Sequence, residues 1–206
     1  MGESGSGKSA SLRNFEFNEV GIFNVANKPL PFRKKLNKID NSTYGTIHAG
    51  LNKASLKTYV IDDSQYLLAF HMFDKVYETG YGKFTEMAKS FYDLIKAVMQ
   101  LPNDVIVYFL HHTEMNDFGK IKAKTNGKML DNQLTLEGLF SIVLMAKIND
   151  QGQHVFITRS DGYTTCKSPM EMFDKFEIDN DLKFVDTKIR EYYGINAANL
   201  KIIKGE

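Results

Sequence analysis

Residues Gly2 to Ser9 read GESGSGKS. This is the spacing G-x-x-x-x-G-K-S, in which successive backbone N–H groups can wrap a phosphate. Small residues at Ser4, Gly5 and Ser6 leave the backbone open to an anion, and Gly7 lets it approach closely. Lys8 reaches the outer phosphates, and the Ser9 hydroxyl is a ligand for Mg2+. The candidate nucleotide-binding set is therefore Gly2, Glu3, Ser4, Gly5, Ser6, Gly7, Lys8, Ser9 and Ala10. The opening Met1-Gly2 with Ser6 also fits a myristoylation pattern, but that pattern is short and common, and no polybasic stretch follows at once. The phosphate loop is the preferred reading.

A second constellation answers the first. The apolar run Leu56–Ile61 ends in Asp62-Asp63. A carboxylate at the end of a buried strand can hold Mg2+ through water beside a phosphate loop, which makes Asp62 with Ser9 the candidate metal pair. Another apolar run, Val105–Leu110, ends in His111-His112-Thr-Glu114. Strand alternation turns one of the two histidines toward the ligand crevice and the other away. Further on, Lys120, Lys122, Lys124 and Lys128 lie in a stretch, 119–128, without an acid.

These residues need elements to position them. The loop should open a helix, read at Lys8–Asn14, and should follow a strand, yet only Met1 precedes Gly2. Strands are expected at Val20–Ala26, Leu56–Ile61, Val105–Leu110, Leu139–Ile148 and Val155–Arg159, and helices at Gln65–Val76, Phe84–Leu101, Leu130–Gly138 and Asp179–Tyr193. The stretch from Lys28 to Asn52 reads as loop, starting with a proline-interrupted basic run, and 116–128 reads as a second loop. Alternating strands and helices predict an α/β fold with a mainly parallel sheet flanked by helices, in one domain spanning 1–206.

Composition narrows the partners. With 26 Lys plus Arg against 25 Asp plus Glu, any nucleic-acid contact must be a local patch rather than a basic coat. The single Cys166 excludes an internal disulfide and fits a reducing compartment. No apolar run reaches the ~18 residues of a membrane span, and no signal peptide opens the chain. A cytoplasmic protein without a membrane partner is expected.

Taken together, GESGSGKS, FNVANKPLPF, YVIDDSQYL, KFTEMAKSFYDLI, FLHHTE, GKMLDNQLTLEGLFSIVL, CKSPMEMF and IDNDLKFVD resemble the bacteriophage AAA-type ATP-binding proteins related to RecA-core single-strand annealing and recombination ATPases. The resemblance implies a RecA-like core, ATP with Mg2+, homo-oligomerisation, and a role on single-stranded DNA in the host cytoplasm. It implies a polar sensor at His112 and a DNA-facing loop over 119–128. It also implies a basic residue, Lys167 or Arg159, reaching a neighbour's γ-phosphate. Two departures stand out: the strand before the loop is absent, and no glutamate follows the second strand. A catalytic base would then be Asp63 or Glu114, with slow hydrolysis, and Lys8 would assist in catalysis. Phe32 or Phe118 could stack on bases. A nucleotide-switched annealing protein without turnover is the alternative. A small nucleoside or nucleotide kinase is a weaker one, because only Arg13, Arg33, Arg159 and Arg190 could furnish a lid.

Overall fold

The computed structural model describes residues 1–125 and 135–195. Lys128 and the segment 127–131 (GKMLD) lie outside the described residues. The centre is a four-stranded, wholly parallel sheet of β1 (Val20–Asn24), β2 (Asn37–Asp40), β3 (Thr58–Asp62) and β4 (Ile106–Phe109), in the order β2-β1-β3-β4. Alternation sorts its apolar side chains onto two faces. Phe23, Tyr59 and Ile61 pack with Ile47 and Leu51 of α1 (Tyr44–Asn52), Leu67 and Leu68 of α2 (Gln65–Asp74), and Phe91, Leu94 and Ile95 of α3 (Gly82–Val98). Val20, Ile22 and Val60 pack on the opposite side with Leu12, and with Leu182, Val185 and Ile189 of α4 (Leu182–Tyr192). Covered on both faces, β1 and β3 are buried along their whole length, which explains their near-continuous apolar sequences.

A hairpin follows β4, made of β5 (Thr113–Met115) and β6 (Ile121–Ala123). A separate antiparallel sheet contains β7 (Met145–Ile148), β8 (His154–Ile157) and β9 (Glu177–Asp179).

Several expectations need correction. The stretch to Asn52 is not all loop. It holds β2, a polar edge strand with no apolar pattern to betray it, and α1, whose two glycines disguise a helix started by the Thr43–Thr46 capping box. Lys8–Asn14 is a short 3-10 helix over Ser9–Asn14. The loop expected at 116–128 begins with the β5–β6 hairpin. Leu139–Ile148 is a strand only from Met145, and within Leu130–Gly138 the described residues contribute the start of a 3-10 turn, Leu136–Leu139. Asp179 closes β9, and the last helix starts at Leu182, where the Asp181 side chain accepts from the N–H groups of Lys183 and Phe184.

The place before the phosphate loop is held by two residues. Gly2 bridges His112 in parallel fashion, its N–H donating to the His111 carbonyl at 3.0 Å. On the other side, Ala146 N–H donates to the Met1 carbonyl at 2.8 Å, and the Met1 amine to the Leu144 carbonyl at 2.7 Å. Met1–Gly2 thus forms a seam between the parallel sheet and β7. Beside it lies an apolar cavity of ≈ 340 Å³, lined by residues that include Val107 and Phe109 of β4 and Phe140 and Leu144 opposite. No helix among the described residues is long and apolar enough to cross a membrane.

Candidate phosphate-loop site

The loop is built by glycine conformations. Gly5 and Gly7 have φ of 79° and 99°, a region that side chains disfavour. A Cβ on Gly7 would stand 2.8 Å from His154 Nδ1, whereas one on Gly5 would meet nothing within 4 Å. His154 Nδ1 in turn donates to the Ser6 carbonyl at 3.1 Å. The N–H groups of Gly5, Gly7 and Lys8 donate to no acceptor among the described residues, so they remain available to an anion.

Lys8 is buried. Its ammonium donates to the carbonyls of Gly2 (2.8 Å) and Glu3 (2.7 Å), folding back over the loop. Burial lowers its pKa to about 8, against the opposing pull of Asp63 and Asp62. The Arg13 guanidinium holds the Ala10 carbonyl at 3.2 Å.

Loop and strand end meet. The Ser9 hydroxyl donates to Asp62 Oδ1 at 2.9 Å, joining residues 53 positions apart. The Asp62 carboxyl is raised above the ordinary range by burial and by the neighbouring Asp63. A cation at this point would relieve that penalty. Two hard oxygens suit Mg2+, whose remaining ligands would be phosphate and water oxygens. Among the described residues no group of three or more His, Cys, Asp or Glu is arranged to hold a metal by itself.

Asp63, at φ 58°, turns the chain sharply out of β3. Its two oxygens face different partners: Lys28 Nζ at 2.8 Å and His112 Nε2 at 3.2 Å. Burial opposes its charge, but the hydrogen bonds from His112 and Lys28 prevail, and its carboxyl lies below the ordinary range. The expected division between the histidines holds. His112 is at the site, and its ring meets Tyr66 edge-on. His111 is buried, with Nε2 2.7 Å from the Lys124 carbonyl and Nδ1 2.9 Å from the Ser64 hydroxyl. Burial lowers its pKa to about 4, so it is neutral and structural.

The remaining candidates fall elsewhere. Glu114 pairs with Lys122 at 3.2 Å across the β5–β6 hairpin, and no contact joins it to the loop among the described residues. The hairpin also carries Lys120, with exposed Phe118 at its tip, while Lys124 shares an open crevice with Glu3, Ser4, Tyr66 and His112. Phe32 packs against the core, so it is no stacking platform. Lys167 bonds through its backbone to Val143, and the Arg159 guanidinium lies over the Phe176 ring.

Sequence reading missed Lys28 and Tyr66. Lys28 looked like one more cation in a basic run. The available clue was Asn24-x-x-x-Lys28 leaving a strand, since parallel neighbours end at the same sheet edge.

No protein-family model matches the chain, and no curated protein matches it.

Proposed function

We propose that the protein binds ATP with Mg2+ on the Gly2–Ala10 loop of a RecA-like phosphate-loop core, and acts on single-stranded DNA in phage-type recombination, annealing or replication. The observation that carries this reading is the 2.9 Å contact of Ser9 Oγ with Asp62 Oδ1. It brings a G-x-x-x-x-G-K-S turn and an acid-terminated parallel strand to one point.

The residues divide the work. Unpaired loop N–H groups receive the phosphate oxygens, and Lys8 moves from the Gly2 and Glu3 carbonyls to the outer phosphates. Ser9 and Asp62 would hold Mg2+, which would supply positive charge against the phosphates. Asp63, with His112 bonded to it, would orient an attacking water. Glu114, held in the hairpin, is the poorer candidate for the base.

The engagement of both Asp63 oxygens favours a second reading, a nucleotide-switched annealing protein without turnover; in the first reading, slow turnover would be speeded by assembly into a homo-oligomer. A basic residue of a neighbouring subunit, Lys167 or Arg159, would complete the site in that homo-oligomer. Exposed aromatics at Phe73, Tyr77 and Tyr81 offer a surface for such association. Single-stranded DNA would lie along Lys120, Lys122, Lys124 and Lys128 with Phe118 as a stacking ring.

Replacing Lys8 by alanine tests the reading. Binding of a fluorescent ATP analogue in Mg2+ should fall by at least a hundredfold while the fold persists, and undiminished affinity would remove the proposal. ATP turnover measured with and without single-stranded DNA separates a stimulated ATPase from a non-hydrolysing switch.

A further inference from the structure

Lys28 belongs to neither the phosphate loop nor the acid pair, yet the fold delivers it to Asp63. Asn24 of β1 is the register partner of Asp62 of β3, so the turns leaving these two strands emerge side by side. The Asn24 amide donates to the Lys28 carbonyl at 2.8 Å, and Asn27, at φ 54°, turns the chain just before it. The backbone of Lys28 is therefore fixed from two directions.

Its side chain is fixed less firmly. It is 56% exposed and spans from Asp63, at 2.8 Å, to the face of Tyr66, whose ring centroid is 5.0 Å from the ammonium. Tyr66 lines the open crevice together with Glu3 and Ser4 of the loop and with His112. Lys28 and His112 thus converge on Asp63, and His112 itself lines that crevice.

Resting on the nucleotide reading above, we propose that Lys28 distinguishes a nucleoside triphosphate from a diphosphate. With a triphosphate it leaves Asp63 for the terminal phosphate; a diphosphate ends short of it and leaves the Lys28–Asp63 pair closed. Asp63 is buried but keeps its hydrogen bond to His112 when the half-exposed Lys28 departs, and a charge-assisted contact with a multiply charged phosphate outcompetes the remaining pair. The exchange also frees one Asp63 oxygen while His112 keeps the other. Asp63 therefore becomes able to orient water only once a third phosphate is present.

The test compares Mg2+-dependent binding of a non-hydrolysable fluorescent ATP analogue and of the matching ADP analogue to the wild type, Lys28→Met and Lys28→Arg. Lys28→Met should lose about tenfold in triphosphate affinity with less than a twofold change for the diphosphate, and Lys28→Arg should retain most of the preference. If both affinities fall together, as from a general structural defect, or if neither changes, the assignment of Lys28 is overturned. If the wild type binds neither nucleotide, the reading of the loop fails, and the assignment with it.

Discussion

His111 shows how a residue beside a site can govern its persistence without taking part. Neutral and enclosed, it ties β4 to the segment at Lys124 and to Ser64 at the start of α2. Its folded pKa of about 4 lies below the ordinary 6.5. Between those values the unfolded chain takes up a proton that the folded chain refuses. Stability should be complete above pH 6.5 and fall as pH drops toward 4, by on the order of 3 kcal/mol. Urea unfolding at pH 7.5 and pH 5 should show about 2 kcal/mol of this loss, and His111→Gln should flatten it; an unchanged slope in the variant would assign the effect to other groups. At this scale much was legible. Motif spacing set Ser9 beside Asp62 as a candidate pair, and the fold brings those two side chains together. Lys28 was not legible, because its role depends on two strands ending together, and no local pattern records which strands are neighbours.

Among the elements, the loop is the most constrained. Gly5 and Gly7 share a left-handed backbone but differ in surroundings, so the two alanine substitutions separate strain from crowding. Gly5→Ala should cost about 1 kcal/mol, the price of φ alone. Gly7→Ala adds a collision with the His154 ring and should cost roughly 2–3 kcal/mol in urea denaturation. Equal losses would show that the ring yields freely. The same contrast explains which elements could be read ahead. α3 and the buried strands declare themselves through apolar periodicity. β2 stays silent because it is a polar edge, and α1 because its start depends on hydrogen bonds between two threonines.

For the whole molecule, the telling place is the cavity beside Met1. Along Ile106–Phe109 the backbone of β4 pairs with β3 on one side and with no strand on the other, among the described residues. The Met1 amine at its mouth is buried, which lowers its pKa from 8.0 to about 5. Joining six alternating valine and threonine residues ahead of Met1 should raise the melting temperature by several degrees, through added pairing and apolar burial. It should also remove the amine's contribution to the loss of stability as pH falls from 8 to 5, since an amide does not titrate. A glycine–serine extension should do only the latter. Identical melting temperatures for the two extensions would show that the cavity does not accept a strand. A strand before the loop is what the sequence pattern asks for; the joining of β7 to the parallel sheet through Met1 and Gly2 is a matter of packing that pattern cannot express.

The seam at Met1–Gly2 has one more consequence. Gly2 holds the loop to the parallel sheet, Met1 to β7, and His154 of β8 grips it from the side. A cradle moored at three points has no slack, so a ligand bound on the proposed reading would tighten the joint between the two sheets. Deuterium uptake should then slow at the amide of Ala146 in β7 as well as at Gly2 within the loop.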